Sequence, residues 1–146
     1  MSAPVDKTPP GFHFPVRVYW EDTDAGGIVF YANYLKFMER ARTEWLRALG
    51  IGQRALKEAT GCMFVVTDTT LQYHRPARLD DELLVTAHLE QSGRASLTIR
   101  QQVLTGPGEA GTSATVLCDG RIRISWVNAE TLKPSRIPPT LLEVLK

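Results

Sequence analysis

One long helical repeat, followed only by strand repeats, limits the folds open to this chain. Between residues 34 and 49 the apolar side chains recur at helical spacing, and Gly50 ends the pattern. Beyond residue 61 the apolar side chains alternate with polar ones in four segments, at about 64–74, 83–89, 95–103 and 114–126. One amphipathic helix must then cover the apolar face of the whole sheet. The sequence therefore predicts an α+β fold.

The two ends of the chain complete this outline. Val16, Val18 and Trp20 alternate with polar neighbours, which predicts a first strand and brings the antiparallel sheet to five strands. Residues 1–12 are punctuated by proline and predict a loose arm. Residues 138–146 predict a short closing helix with proline at its start.

Chain length and turn signals indicate a single domain. The 146 residues match the size of one domain, assigned to 1–146, and turns are predicted at 91–93 and 106–111. A sheet of five strands has two edges, and the long last strand is rich in Val, Ile and Trp. We expect two copies to pair along that last strand, so the chain is expected to be a homo-oligomer.

Charge and hydropathy exclude several classes of protein. Seventeen basic and sixteen acidic residues leave a net charge of +1, so the chain lacks the excess of positive charge expected of a dedicated nucleic-acid binder. No apolar run approaches the length of about 18 residues that a membrane span needs, and the N-terminus has no signal-peptide core. Cys62 and Cys118 form no C-x-x-C pair, which fits buried thiols in a reducing compartment. We expect a cytoplasmic protein with no membrane span.

A cluster of acids and glycines separates the first strand from the helix. Residues 21–27 read EDTDAGG. A helix N-terminus carries unpaired N–H groups and about half a positive charge, which favours a nearby anion. The glycines permit a tight turn and a close approach of a ligand to the backbone. The amides from Ile28 to Tyr31 are therefore candidates to hold an oxygen that becomes negative during a reaction, beside a reactive carboxylate.

Other chemistries need residues that this stretch lacks. Asp22 and Asp24 match the first two ligand positions of a calcium loop, but Gly26 and Asn33 stand where an oxygen ligand and a Glu are required. There is no phosphate-binding Gly-Lys-Ser/Thr and no G-x-S-x-G, and the three histidines lie outside the stretch without metal spacing. We expect no metal, and an acid acting only as a helix cap stays open.

Residues 16–50, VRVYWEDTDAGGIVFYANYLKFMERARTEWLRALG, resemble the opening of the hotdog-fold acyl-CoA thioesterases. The resemblance is carried by D-x-D-x-x-G-x-V-x-x-x-x-Y with E-x-x-R on the following helix, and LLVTAHL, SLTIRQQV and WVNAETLKPSRIP extend it over almost the whole chain. Within the family it points to the subfamily associated with the bacterial Tol–Pal envelope system, which is related to 4-hydroxybenzoyl-CoA thioesterase. It implies a helix wrapped by a five-stranded antiparallel sheet, and dimers that often form tetramers, with active sites at the dimer interface.

The resemblance assigns roles to two positions. It implies that Asp24 is the catalytic carboxylate and that the backbone N–H of Tyr31 polarises the thioester carbonyl. Asp24 would attack the carbonyl directly or activate a water, and both routes stay open. Many members of the Tol–Pal subfamily have His where this chain has Tyr31, whereas the 4-hydroxybenzoyl enzyme has Tyr. A role for the backbone amide is therefore kept, and a role for an imidazole is not.

The resemblance also implies substrate contacts and a second carboxylate. Arg94 and Ser96 match a region where relatives contact the phosphates of CoA, and a guanidinium suits phosphate. Glu39 is the backup carboxylate, because some other hotdog thioesterases place theirs on this helix. A structural ion pair between Glu39 and Arg42 is the competing interpretation. The expected substrate-binding residues are Gly27, Ile28, Val29, Asn33, Arg94 and Ser96.

The implied function is the hydrolysis of acyl-CoA to a free acid and CoA. CoA arrives as part of the substrate, so no separate cofactor is expected, and the acyl group stays undetermined. Candidate partners besides a second copy are an acyl carrier protein and envelope-associated proteins. Two alternatives remain: a non-catalytic hotdog module that binds acyl-CoA or protein, and a hotdog hydratase or dehydratase, which needs an active-site His that the motif lacks.

Overall fold

The chain folds as one antiparallel sheet with one long helix lying across it. The computed structural model describes residues 11–106 and 114–146. Two 3₁₀ turns, Trp20–Asp22 and Tyr31–Asn33, lie between the first strand and the long helix. The other elements are, in chain order, β1 (Phe12–Arg17), α1 (Tyr34–Ala48), α2 (Gln53–Thr60), β2 (Cys62–Tyr73), β3 (Glu82–Ser92), β4 (Ser96–Thr105), β5 (Val116–Asn128) and α3 (Pro139–Leu145).

The five strands form a single sheet in the order β1-β3-β4-β5-β2, and all neighbours are antiparallel. The expected α+β class and the five-stranded antiparallel sheet are confirmed. The prediction that the last strand is an edge is wrong, because β5 has β4 on one side and β2 on the other. The edges are β1 and β2, so β2 is the long strand whose outer side pairs with no strand of residues 11–106 and 114–146.

Helix α1 buries one face against the sheet, as its spacing predicts. The expected stripe is confirmed as far as Trp45, but Ala48 and Leu49 are exposed where the helix ends. Burying one large apolar side chain contributes roughly 1.5–3 kcal/mol, so this stripe is a main source of the fold's stability. The buried residues of α1 are Tyr34, Phe37, Met38, Ala41, Trp45 and Leu46.

The first strand begins and ends earlier than its pattern predicts. It starts at Phe12, so the predicted loose arm does not extend to residue 12; residues 1–10 lie outside the described residues. Val18 is fully buried, but Trp20 is 81% exposed. The alternation fails at Trp20 because the backbone there leaves the sheet and turns into the first 3₁₀ turn.

Other boundaries show what periodicity leaves out. The eight residues of α2 lie between Gly52 and Gly61, and no helix is predicted there. Strand β3 continues through Ser92, so the β3–β4 turn lies later than the predicted 91–93. The predicted closing helix is confirmed as α3. Of the other predicted turn, at 106–111, residues 107–111 lie outside the described residues. Among the helices in the described part of the chain, none has the length and apolarity to cross a membrane.

A buried amide side chain joins α1 to the sheet. Gln101 on β4 is fully buried among apolar residues. Its Nε2 donates to the carbonyl oxygens of Met38 at 2.9 Å and Thr86 at 3.2 Å, and its Oε1 accepts from Arg42 Nη1 at 2.9 Å. Both ends of the amide are thus paired, and they fix the position of α1 over the strands.

We expect Gln101→Leu to lower the free energy of unfolding by about 1–3 kcal/mol, because leucine keeps the volume but leaves the Arg42 guanidinium unpaired. Urea unfolding followed by circular dichroism measures the change. The control is Gln102→Leu, at the neighbouring half-buried position, where a change within about 0.5 kcal/mol is expected. A Gln101→Leu variant as stable as the native chain would show that the amide does not hold α1.

Candidate active site

The acid-and-glycine segment lies at the sheet end where β1 stops and β3 starts. The N–H of Val18 donates to Asp81 O at 2.9 Å, and the N–H of Asp80 donates to Val18 O at 3.0 Å. The segment then doubles back, with Thr23 bridged to Val29, and Gly27 takes a positive φ of 77° that suits glycine. The tight turn that the glycines predict is therefore present.

Asp22 is buried and holds the segment together. Its Oδ2 accepts the Tyr19 N–H at 2.8 Å, and its Oδ1 accepts the Asn33 side-chain N–H at 2.8 Å. The two donors come from either end of the loop, so Asp22 ties the exit of β1 to the start of α1. The residue is 5% exposed and both of its carboxylate oxygens accept a hydrogen bond, which suits a structural role.

Asp24, two residues further on, is exposed and only half engaged. Its Oδ1 accepts the Gly26 N–H at 2.8 Å, the local contact that a turn-capping aspartate makes. Within residues 11–106 and 114–146, no donor lies within hydrogen-bond distance of Oδ2. One oxygen thus orients the carboxylate, and the other is open to a ligand.

The backbone amides after the glycines divide into two groups. The N–H of Val29 donates to Ala77 O and the N–H of Phe30 donates to Asp22 O, each at 2.9 Å. The N–H groups of Ile28 and Tyr31 have no acceptor in the described part of the chain. The sequence made all four amides from Ile28 to Tyr31 candidates for holding a negative oxygen. In the described structure, the amides of Ile28 and Tyr31 are the two that can do so.

The Tyr31 backbone is held by the neighbouring strand. The Tyr73 hydroxyl on β2 donates to Tyr31 O at 2.7 Å, and the Tyr34 hydroxyl accepts the Ala77 N–H at 3.1 Å. Burial raises the pKa of both Tyr73 and Tyr34, so both phenols stay protonated. Tyr73 is a site residue that periodicity does not single out, because its role depends on strand packing.

The remaining motif residues lie in different surroundings. Gly27 and Ile28 are half-buried on the loop beside Asp24. Val29 is 4% exposed within the core, and Asn33 is 6% exposed with its amide on Asp22. In the described chain the side chains of Val29 and Asn33 contact protein, whereas Gly27 and Ile28 remain accessible.

Arg94 and Ser96 lie at the opposite end of the sheet from Asp24. The Asp24 loop is beside Glu82, the first residue of β3, and Arg94 follows Ser92, the last. The 11 residues of β3 extend roughly 30 Å. A single chain therefore does not bring Asp24 and Arg94 together.

Glu39 lines a cavity of about 370 Å³ between α1 and strands β2 and β5, and Asp24 and Tyr31 are not among its lining residues. Glu39 forms no ion pair with Arg42, because the ion pairs found in residues 11–106 and 114–146 involve other side chains. The hydrogen bond between Arg42 and Gln101 was not predicted from the sequence. The one sequence signal for it was that Gln101 stands at a position of its strand where the alternation expects an apolar residue.

Other reactive groups are placed away from the loop. Burial raises the pKa of the Cys118 thiol to about 12, so this cysteine is not a nucleophile near neutral pH. Cys62 and Cys118 form no disulfide with each other. In the part of the chain that the structure describes, no three His, Cys, Asp or Glu side chains are grouped so as to hold a metal ion.

The fold and the loop define a class of protein: a hotdog domain with a carboxylate and free amides where its central helix begins. The chain belongs to the thioesterase-like superfamily, whose family model matches residues 18–145. This confirms the resemblance at the level of the superfamily. Curated relatives named acyl-CoA thioesterase or acyl-CoA thioester hydrolase place the chain among thioester-hydrolysing enzymes.

Individual relatives agree with this membership. The chain is 38% identical over 135 residues to the acyl-CoA thioester hydrolase YbgC of Escherichia coli, covering 92% of this chain and 96% of that protein. It is 38% identical over 128 residues to the acyl-CoA thioesterase YbgC of Haemophilus influenzae, covering 88% and 89%. A crystal structure of a mutant 4-hydroxybenzoyl CoA thioesterase complexed with 4-hydroxybenzoyl CoA superposes with a TM-score of 0.84, covering 92% of this chain and 98% of that chain. At 17% identity the last likeness shows the hotdog fold alone.

We expect Asp22→Asn to lower the free energy of unfolding by about 1–3 kcal/mol, because one oxygen that accepts an N–H becomes an NH₂ facing a donor. Thermal and urea unfolding measure the loss. Asp24→Asn is the matched control: its side-chain oxygen can still accept the Gly26 N–H, so a change within about 0.5 kcal/mol is expected. Equal losses of stability for the two variants would contradict the assignment of a structural role to Asp22 and not to Asp24.

Proposed function

We propose that the chain hydrolyses acyl-CoA thioesters to a free acid and CoA, with Asp24 as the catalytic carboxylate and the Tyr31 N–H as the oxyanion donor. The observation that carries the proposal is that one short loop presents an open carboxylate oxygen and unoccupied backbone amides. The 38% identity to proteins named acyl-CoA thioester hydrolase and acyl-CoA thioesterase supports the choice of substrate.

The chemistry needs few groups. A thioester carbonyl is electrophilic and a thiolate leaves readily, so a positioned anion and an oxyanion donor suffice. In one route Asp24 accepts a proton from water as the water attacks, and the departing thiolate takes up a proton. In the other, Asp24 attacks the carbonyl, the thiolate leaves, and water hydrolyses the resulting mixed anhydride. In both routes the N–H groups of Tyr31 and Ile28 stabilise the negative oxygen.

A second copy completes the proposed site. Of the two edge strands, β1 has only six residues and contains Pro15, whereas β2 has twelve. If β2 pairs antiparallel with its equivalent across a two-fold axis, each sheet is reversed relative to the other. The partner's Arg94 and Ser96 then lie at the same end as Asp24 of the first copy, where they can reach the CoA phosphates. We propose this dimer, which can assemble further into a tetramer.

We also propose a subfamily, a cellular compartment and partners for this chain. The D-x-D-x-x-G motif and the E-x-x-R of α1 support the Tol–Pal-associated subfamily, and the unpaired thiols of Cys62 and Cys118 suit the reducing cytoplasm. An acyl carrier protein could deliver the same thioester as CoA does. Envelope-associated proteins are the partners that the subfamily implies.

We expect Asp24→Asn to reduce kcat for acyl-CoA by about 10²–10⁴-fold, because an amide is neither a base nor an effective nucleophile. CoA release is followed with a thiol reagent over a panel of short aliphatic, long aliphatic and aromatic acyl-CoAs. Glu21→Gln in the same acidic cluster and Glu39→Gln on α1 are the controls, and both are expected to keep kcat within a few fold.

Each arm of this experiment decides between named alternatives. Retained turnover by Asp24→Asn would remove the assignment of Asp24. Loss of turnover confined to Glu39→Gln would transfer the role to the backup carboxylate. A native protein inactive on the whole panel would favour the non-catalytic binding module, and hydration of an unsaturated acyl-CoA would favour the hydratase.

We expect Val66→Lys to convert the dimer to monomers and to abolish turnover, because a lysine on β2 opposes pairing of the strand edges. Val66 is 51% exposed on this strand. Light scattering measures the mass, and CoA release measures the activity. Val144→Lys on α3 makes the same change at a valine that is 44% exposed, and it should alter neither reading. An intact dimer in Val66→Lys would place the subunit contact elsewhere.

A further inference from the structure

A groove runs along α1 and begins beyond the proposed oxyanion site. Its first lining residue, Leu35, is four positions after Tyr31 and therefore about one helical turn away. The groove has a volume of about 370 Å³. Its floor and walls are mainly apolar and include Phe64 and Val66 of β2 and Ile122 and Ile124 of β5. This lining suits the methylene chain of an acyl group.

Three charged side chains interrupt the apolar lining of this groove, Lys36, Glu39 and Arg42, and the first two are exposed. Arg42 is half-buried, and its Nη1 donates to Gln101 Oε1 at 2.9 Å. Gln101 is itself fully buried and is held by the carbonyl oxygens of Met38 and Thr86. The guanidinium is therefore held in position by a rigid partner, unlike the side chain of a solvated surface arginine.

The positive charge of Arg42 is incompletely compensated. A guanidinium has five N–H donors, and Gln101 is the only hydrogen-bond acceptor for it within residues 11–106 and 114–146. No carboxylate of those residues lies within ion-pair distance of it, although Glu39 is close enough to raise the Arg42 pKa. Burial acts more strongly and lowers that pKa. A desolvated cation with spare donors is stabilised by an added oxygen acceptor.

Building on the proposed thioesterase function, we propose that Arg42 binds an oxygen at the far end of the acyl group. The preferred acyl-CoA substrates then end in a hydrogen-bond-accepting oxygen, as a carboxylate or a hydroxyl does, and not in a methyl group. Arg42 is a specificity-determining residue in this assignment. Gln101 is a positioning residue that acts through it.

The spacing sets the length of the acyl group. Tyr31 and Arg42 are 11 positions apart, which is about 16–18 Å along the helix. Helical side chains lean toward the N-terminus, so the guanidinium can lie closer to the oxyanion site than the Arg42 backbone does. A chain of medium length spans this distance, whereas a two-carbon acyl group does not reach Arg42.

The test compares CoA thioesters of equal carbon number that end in a methyl, a hydroxyl or a carboxylate group, over a series of lengths. In the native enzyme we expect kcat/KM for an oxygen-terminated substrate of matching length to exceed that for the methyl-terminated one by about tenfold or more. Arg42→Met should remove this preference, mainly by raising KM for the oxygen-terminated substrate. Arg40→Met is the matched control, because Arg40 is exposed on the same helix and lines a different cavity beside β1.

Two further measurements test the role of Arg42 if the Arg42→Met variant folds poorly. Arg42→Lys keeps the charge with fewer donors, and it should retain part of the preference. In the native enzyme, a free dicarboxylic or hydroxy acid should inhibit more strongly than a fatty acid of equal length. This inhibition requires no variant.

The outcomes separate this inference from the proposed function. If native enzyme hydrolyses all three substrate classes equally, or if Arg42→Met keeps the preference, the role of Arg42 is refuted and thioester hydrolysis stands. If Arg42→Met instead dissociates the dimer and loses turnover on every substrate, Arg42 meets a carboxylate of the second copy and the inference fails. If no acyl-CoA is hydrolysed by the native enzyme, the proposed function fails and the inference falls with it.

Discussion

The packing of α1 against the sheet is the contact on which every part of the proposed site depends. Phe37, Met38 and Ala41 are fully buried in it. At roughly 1.5–3 kcal/mol for each large apolar side chain, these few contacts outweigh the roughly 1 kcal/mol net contribution of any single hydrogen bond nearby. Burial therefore holds the helix on the sheet. It does not by itself fix how the helix is rotated or shifted along its axis, because apolar contacts are not directional.

Hydrogen bonds, which are directional, fix the rotation and the axial position of the helix. They occur before the start of α1 and near its middle. At the N-terminal end, Asp22 joins the Tyr19 amide to the Asn33 side chain and so fixes the loop that carries Asp24. In the middle of the helix, Gln101 joins β4 to the Met38 carbonyl and the Arg42 guanidinium. A buried polar group costs free energy when it is unpaired, so each fully paired group selects one arrangement of its neighbours. The buried polar residues thus position the groups of the proposed site.

Periodicity predicted the elements because it reflects which residues face the core, and it failed where three-dimensional pairing decides. The helix from Tyr34, the four later strands and the turn at Gly27 follow from local signals. The edge strand does not, since β5 and β2 differ only in which neighbour the sheet supplies. The loop acids show the same limit. Asp22 and Asp24 are both acids of one short cluster, but the Tyr19 N–H and the Asn33 side chain bind Asp22 alone, so Asp22 is structural and Asp24 keeps one oxygen open. The Arg42–Gln101 pair joins positions 59 apart, a separation that no local pattern reports.

The placement of charge along α1 links the chemistry to the choice of substrate. In the proposed mechanism, backbone N–H groups before the start of the helix stabilise a negative oxygen that exists only during the reaction. Further along the same face, Arg42 is a permanent cation in the groove that Lys36 and Glu39 also line, and a permanent charge acts on the ground state as well as the transition state. In the proposed complex, an oxygen bound by Arg42 would therefore fix the acyl group along the helix before the carbonyl reacts. Under that proposal, its binding energy contributes to the rate only as far as it places the carbonyl between Asp24 and the Tyr31 amide, and the spacing between Tyr31 and Arg42 would then determine the acyl-chain length.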